Sequence, residues 1–397
     1  MQELLINVSN NEKNILLVEN GKLIEKYSEK QEQERLEGDI YLGVVENVLP
    51  GMQAAFVDIG KNKNTFIHIR DIIPKVSDQT GNKNEDFKQY SIKDYLKSKM
   101  PILVQVKKDS TNKKGARIST HLSIPGRYVV IMPNEKFITI SQKIDDESER
   151  ERLKNILKEN IPTGYGAIIR TSAMFKNKEE IIEDINQTVE KYKTIKEKYE
   201  RELKNQNKIM PKLMYKSENI ILKLLTDLMD QNLTRIITND QEVFDKISKK
   251  LQESDKKIDI VIQENILSLY DIRKQLEELE SRKIWLKCGG FITIDKTEAL
   301  TAIDVNSGKY TGKKDLEQTI FTVNKEATVE IAKQLRLRDI GGIIIIDYID
   351  MKNKENEEKI IKIFEEQLKK DRSKTQIVGF SKLNLLEMTR KHMCSND

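Results

Sequence analysis

Apolar residues recur along this chain in two rhythms, and the places where the rhythm changes divide it. Short apolar runs at residues 3–7, 15–18 and 23–27 read as strands, with Asn20-Gly21 a strong hairpin signal between the last two. From residue 38 to 121 the texture stays strand-like, with candidates at 40–45, 51–59, 65–69 and 101–106 and a charged insertion over 72–99. About five short strands around an irregular insertion predict a small OB-type barrel. Residues 122–213 mix strands (128–132, 137–141, 166–170) with helices. Ser148 and Glu151 are spaced as a capping box, opening a helix that carries Leu153, Ile156 and Leu157 on one face and stops before Pro162. A long charged helix from 178 to about 207 gathers Ile181, Ile185, Val189, Tyr192, Tyr199 and Leu203 near one stripe, which we read as packing within the chain rather than as a coiled coil.

Residues 214–279 alternate helix and strand, with strands expected at 234–237 and 258–262 and no Gly-rich phosphate loop. Residues 280–397 predict a hairpin, 291–295 with 298–305, turning at Lys296-Thr297. A helix over 315–338 follows, its inner face Ile320, Val323, Ala327, Ile331 and Leu335 and its end closed by Gly341. Then come a four-isoleucine strand, a helix over 354–370, a strand over 376–380 and a last helix over 385–392. The fold class expected is α/β, multidomain.

Composition narrows the partners. The 397 residues are 38% hydrophobic and 34% charged, enough for several cores under a very polar surface. Against 64 acidic residues stand 69 basic ones, a net charge of only +5, so any nucleic-acid surface must come from local clusters of lysine and arginine. No apolar run reaches the length of a membrane span, and the N-terminal residues carry no signal-peptide pattern. Cys288 and Cys394 form no Cys-x-x-Cys pair. The expectation is a reduced, cytoplasmic protein.

Two stretches point to chemistry. Leu300-Thr-Ala-Ile-Asp304-Val-Asn306-Ser-Gly308 and Gly341-Gly-Ile-Ile-Ile-Ile-Asp347-Tyr-Ile-Asp350-Met each run apolar residues into an aspartate. This predicts buried strands that deliver carboxylates to one sheet rim, where a buried charge needs a partner. Magnesium takes one or two carboxylates and completes its shell with water and phosphate, so Asp304 and Asp347 are candidate Mg2+ ligands, with Asn306 beside them and Asp350 within reach through water. The bland alternative is that the aspartates cap helices or pair with lysines. In the barrel, Phe56 and Phe66 lie on adjacent strands with Lys61, Lys63 and Arg70 nearby, a pattern suited to stacking single-stranded bases; the alternative is barrel core. Lys108, Lys113 and Lys114 make a basic loop, either a phosphate contact or a solvated turn. Arg170-Thr171-Ser172 at a strand end suits a terminal phosphate, although such a pair is also common in surface salt bridges. His68, His121 and His392 are scattered and suggest no relay, and Cys288 reads as a small buried residue.

Together these segments closely resemble the ribonuclease E/G family over nearly the whole chain. The likeness runs through Gly289-Gly-Phe-Ile-Thr-Ile-Asp-Lys-Thr-Glu-Ala-Leu-Thr-Ala-Ile-Asp-Val-Asn-Ser-Gly308, Thr319-Ile-Phe-Thr-Val-Asn-Lys-Glu-Ala-Thr328, residues 331–351 and Leu386-Glu-Met-Thr-Arg390. The resemblance implies a magnesium-dependent endoribonuclease that cuts single-stranded RNA, leaving a 5′-phosphate and a 3′-hydroxyl, in RNA processing and decay. It places Asp304 and Asp347 on the metal carboxylates and Asn306 beside the scissile phosphate. Arg170, Thr171, Gly126 and Val130 fall on a 5′-monophosphate sensor, and Phe56, Phe66 and Lys114 on RNA-contacting positions of the barrel, while Lys108 is an RNA-binding candidate by its place in the basic loop. It further implies a ribonuclease H-like unit split between 1–37 and 214–279, an OB-fold domain at 38–121, a sensor region at 122–213 and a deoxyribonuclease-like catalytic subdomain at 280–397. The family continues into a Cys-Pro-x-Cys zinc link between subunits that Cys394 does not reproduce, so a homo-oligomer stays open while its zinc link is not expected from these residues. Two rivals remain open at this point: an RNA-binding protein that does not cut, and a nuclease acting on DNA.

Overall fold

The computed structural model describes residues 1–9, 12–30, 35–72, 91–110, 115–204, 209–229, 233–252, 257–308 and 316–392. The chain forms two compact units, one built from Met1–Gln33 with Gln231–Asn396 and the other from Glu34–Asp230.

The first unit opens on an antiparallel meander of β1 (Gln2–Val8), β2 (Glu12–Glu19) and β3 (Lys22–Lys30), with the expected hairpin at Asn20-Gly21. Leu4, Leu5 and Ile6 are all buried, as are Ile15 to Val18, because both faces of this sheet are covered and the strands need no polar side.

In the second unit β4 (Ile40–Leu49), β5 (Ala54–Asp58), β6 (Thr65–His68), β7 (Pro101–Lys108) and β8 (Arg117–Ser119) pair in the order β4-β5-β6-β8-β7, and β7 returns to β4. The result is the closed, OB-like barrel that the sequence predicts, cored by Val45, Val57, Ile67, Val104 and Ile118. The short helix α1 (Ile92–Tyr95) comes from the stretch read as an insertion. Next, β9 (Ile124–Pro125), β10 (Val129–Pro133), β11 (Ile138–Ile140) and β12 (Tyr165–Ile169) form a sheet ordered β11-β12-β10-β9. Helices α2 (Glu147–Asn160) and α3 (Lys178–Lys204) cover it with Leu153, Ile156, Leu157, Ile181, Ile185 and Val189, so the α3 stripe is indeed spent inside the chain. The capping box is corrected: Asp146 is the N-cap of α2 and accepts from the Glu149 N–H at 3.1 Å, while Ser148 donates to the same carboxylate. An ionised side chain outcompetes the hydroxyl two residues on for the same backbone donor. β13 (Lys212–Tyr215) adds to β4, and α4 (Ile220–Leu228) ends the unit.

The chain then resumes the first unit with β14 (Leu233–Thr238), α5 (Gln241–Gln252), β15 (Asp259–Ile262) and α6 (Ile272–Glu278). β14 runs parallel to β1 and β15 parallel to β14, completing the order β15-β14-β1-β2-β3. A further sheet follows, built from β16 (Lys283–Trp285), β17 (Phe291–Lys296), β18 (Leu300–Asn306), β19 (Gly342–Asp347), β20 (Thr375–Phe380) and β21 (Leu385–Arg390), ordered β16-β17-β18-β19-β21-β20. Only β18 and β19 pair in parallel, joined through α7 (Leu316–Leu337); α8 (Lys354–Leu368) follows β19. Both helices pack one face through Val323, Ala327, Ile331, Leu335, Ile360 and Phe364.

Three expectations are corrected here. Residues 385–390 form a strand, not a helix: Leu386, Met388 and Arg390 point inward by alternation, and pairing with both β19 and β20 overrides the helix-forming character of Leu-Leu-Glu-Met. The left-handed residue that ends α7 is Asp339, with φ 45°, not Gly341, and the Ile340 N–H closes the turn on the Leu335 carbonyl at 3.0 Å. The isoleucine strand is not buried throughout. Ile344 and Ile346 face the helices, while Ile343 and Asp347 lie on the exposed face.

Candidate functional site

Asp304 ends up opposite Asp347 in the parallel ladder of β18 and β19, at the carboxyl ends of both strands. Neighbouring strands stand about 4.8 Å apart, and residues in register project from the same face. That face is the exposed one, so the paired acids are not the buried charges the apolar runs suggested. Carboxyl ends of strands in open α/β sheets are where ligands collect, since the loops that follow diverge there.

Asn306, two residues beyond Asp304, lies on the same side and donates from Nδ2 to its carboxylate at 2.5 Å. Burial, and then the negative charges of Asp304 and Asp350, push the Asp347 carboxyl above its ordinary range. A carboxyl that neighbouring negative charges help to raise marks a place in want of positive charge. The helix-cap alternative fails for Asp347, because the N-cap of α8 is Asn353, which accepts from the Glu355 N–H at 2.9 Å. The set fits magnesium by its chemistry: hard oxygen donors, two carboxylates and room for water. Among the described residues, no group of three or more His, Cys, Asp or Glu side chains converges as a protein-only metal cage would require.

The loops around the pair are held by residues that pattern reading did not single out. Fully buried Asn324 on α7 accepts from the Ile349 N–H at 3.2 Å and donates to the Ile349 carbonyl at 2.8 Å. Thr328, one turn on, shares a hydrogen bond with the Tyr348 hydroxyl at 2.9 Å. Glu317 accepts from the N–H groups of Lys352 and Asn353, both at 3.2 Å. The segment after Asp347 is therefore tied to α7 at successive points. After Asn306, Gly308 has φ +58°, and a Cβ there would stand 2.5 Å from the Gly289 carbonyl oxygen, which explains a glycine at that position. Amphipathic periodicity explains the inner stripe of α7 but not a buried Asn; only that mismatch could have flagged it.

The other candidates lie in the barrel unit. Phe56 and Phe66 are cross-strand partners on the outside of the barrel, edge to face with centroids 6.3 Å apart, and Phe56 is 36% exposed. Neither belongs to the barrel core, so the core alternative is set aside. The register continues from Phe66 to Arg117 and from Arg117 to exposed Lys108, giving two rings and two cations in one row across four strands. Sequence reasoning missed Arg117, which holds Asp71 through two bonds of 3.0 Å. Lys113 and Lys114 lie outside the described residues.

Arg170 and Thr171 follow β12 beside Gly126 and Val130. Arg170 donates from Nη1 to the Gly126 carbonyl at 2.9 Å and is ion-paired through Nη2 with Asp227; Thr171 shares a bond with Ser141 at 2.9 Å. Val130 pairs with Ile168 on β12 and Pro125 on β9. Asp184 of α3 accepts three consecutive backbone N–H groups, from Arg127, Tyr128 and Val129, at 2.8, 2.8 and 2.9 Å. A Cβ on Gly126 would come within 2.5 Å of Asp184, so this turn packs too closely for a side chain.

The three histidines are engaged locally. His121 bonds to Glu135 at 2.8 Å, His392 to the Asp339 carbonyl at 2.9 Å, and His68 accepts from the Arg70 N–H at 3.2 Å. Burial pushes the Cys288 thiol up, as suits a packed residue rather than a nucleophile. Cys394 lies outside the described residues.

Residues 123–393 match the family model of the Ribonuclease E/G family, and the chain belongs to that family. Among its relatives is Ribonuclease G of Salmonella typhimurium (strain SL1344), 38% identical over 394 residues that cover 98% of this chain and 79% of that protein. Ribonuclease G of Haemophilus influenzae is 37% identical over 395 residues, with the same shares covered. Ribonuclease E of Nostoc sp. is 34% identical over 400 residues, 97% of this chain and 56% of that protein.

Proposed function

We propose that this chain is a magnesium-dependent endoribonuclease of RNA processing and decay in the cytoplasm. It hydrolyses single-stranded RNA, prefers substrates with a 5′-monophosphate, and leaves 5′-phosphate products. The observation that carries the reading is the in-register pair Asp304 and Asp347 on one exposed face, with Asn306 beside them. The membership of the ribonuclease E/G family agrees with it. No helix of the described residues is long and apolar enough to cross a membrane.

Asp304 and Asp347 would hold the ion, and Asn306 would turn its amide toward a phosphate oxygen once a substrate supplies one. Bound there, Mg2+ would lower the pKa of a water and neutralise charge on the phosphate in the transition state. Asn324, Thr328 and Glu317 keep the Asp347–Asp350 segment in place, so its carboxylates are already aimed when substrate arrives. The row of Phe56, Phe66, Arg117 and Lys108 suits a single strand, with rings for bases and cations for the backbone. Arg170 and Thr171 take the terminal phosphate, and the guanidinium exchanges its ion pair with Asp227 for the more highly charged partner. The split sheet, three antiparallel strands followed by two parallel to the first, supports a ribonuclease H-like reading of the ranges 1–37 and 214–279 only for residues 1–33 and 231–279. Residues 34–37 and 214–230 belong with the barrel unit, and residues 280–397 serve as the deoxyribonuclease-like catalytic part.

The test incubates the protein with a 5′-monophosphorylated A/U-rich RNA, its 5′-hydroxyl counterpart and a deoxy strand, each with Mg2+ or chelator. Metal-dependent cutting of RNA, faster for the monophosphate, is expected. Binding without cutting would overturn the reading. Arg170→Ala should bring the two RNA rates together.

A further inference from the structure

The exposed face of the catalytic sheet carries an aromatic feature that the paired acids do not use. Trp285, the only tryptophan of the chain, sits on edge strand β16 and is 60% exposed. It faces Phe291 across β16 and β17, with ring centroids 5.3 Å apart at 63°. Lys283 Nζ lies 4.1 Å from the indole centroid and 3.6 Å from the phenyl centroid. Large aromatic surface left open at a sheet edge, with an ammonium beside it, is unusual for packing and ordinary for a nucleic-acid contact.

The register ties this feature to the candidate active site. Trp285 pairs with Phe291 and Phe291 with Asn306, while Lys283 pairs with Thr293 and Thr293 with Asp304. Two neighbouring rows thus run from β16 to Asn306 and to Asp304, and β16 stands about 10 Å from β18 at the usual strand spacing. One or two nucleotides of extended RNA span that distance. The other exposed apolar residues of the face, Ile343 and Val378, lie on β19 and β20, away from Lys283. Lys283, together with the ion that the paired acids would hold, selects an anionic strand for the Trp285 end.

We propose that Trp285, backed by Phe291 and flanked by Lys283, is a stacking platform for a base one or two nucleotides from the scissile phosphate. The proposal rests on the reading of Asp304 and Asp347 as the cleavage centre. The platform positions the strand so that its phosphate meets the paired acids. Stacking tolerates any base, so the platform favours unpaired RNA over a duplex without reading sequence.

A sole tryptophan makes the test direct. The full chain carrying Asp304→Asn, which binds without cutting, is titrated with a 5′-monophosphorylated single strand while tryptophan fluorescence is followed. Quenching is expected, and an abasic residue moved along the RNA should abolish it at one position near the cut and nowhere else. In the otherwise wild-type chain, Trp285→Ala should raise KM about tenfold, the loss of one stacked base, and change kcat little; Trp285→Phe should recover most of the affinity. Fluorescence indifferent to every abasic position, or an unchanged KM in Trp285→Ala, would overturn the proposal. Loss of the cleavage reading shows up separately, as wild-type protein that does not cut in Mg2+, while the abasic scan still reports on stacking alone. A duplex that quenches as well as the single strand also counts against the platform.

Discussion

Replacing Asp304 by Asn separates an active-site acid from a structural one, because the two roles predict opposite changes in stability. The carboxylates of Asp304 and Asp347 project side by side from adjacent strands. Two like charges about 5 Å apart repel by about 1 kcal/mol at the dielectric of an exposed face. The Asp347 carboxyl is raised first by burial, and Asp304 and Asp350 add to it. A raised acid destabilises the fold at neutral pH and stops doing so as pH falls through its folded value; removing the Asp304 charge lowers that cost. Metal-free Asp304→Asn should therefore melt about 2–4 °C higher than wild type, given about 1 kcal/mol in a unit of about 200 residues. Mg2+ at ten times its Kd should stabilise wild type by about 1.4 kcal/mol and the variant by much less. Cleavage should fall at least about a hundredfold, since several kcal/mol of transition-state stabilisation is removed. Differential scanning fluorimetry with chelator and with Mg2+, beside a gel assay of RNA cleavage, reads all three. A metal-free variant that melts below wild type and still cuts RNA would refute the reasoning.

Other perturbations follow from named contacts. Asp227→Asn removes the carboxylate that occupies Arg170 and should lower KM about two- to fivefold for 5′-monophosphate RNA but not for 5′-hydroxyl RNA, as competition kinetics would show. Phe66→Ala should weaken binding of a single strand about tenfold, and Arg117→Ala should reduce the salt dependence of that binding by about one counterion, both measurable by anisotropy across salt. Asn324→Leu strips the Ile349 backbone of both bonds; about 2–3 kcal/mol of stability should be lost in urea unfolding, with kcat falling more than KM. Arg390→Leu leaves buried Asp371 and Asp339 without their shared cation and should cost about 3–5 kcal/mol in the same assay.

The local elements were mostly legible in the amino-acid order, because period-two and period-3.6 patterns record which side of each element is buried. The meander, the barrel strands and the inner stripe of α7 follow from those patterns, and so do the two strands that end in Asp304 and Asp347. Residues 385–390 escaped because Leu, Glu and Met favour a helix in isolation, and only the open edge of β19 on one side and β20 on the other makes them a strand. Register was equally out of reach. The sequence brought the two strand ends to one rim, but that Asp304 stands in register with Asp347, that Phe56, Phe66, Arg117 and Lys108 form one row, and that Arg170 meets Asp227 depend on pairing between distant segments. A one-residue slip would turn any of these side chains to the opposite face. The sequence by itself determined most of the strands and helices and the two acids at strand ends, since those depend on neighbours within a few residues. Only the tertiary structure decided which groups meet and that the acids stand exposed, because closing long loops and covering a single face of a sheet are properties of the whole packed chain.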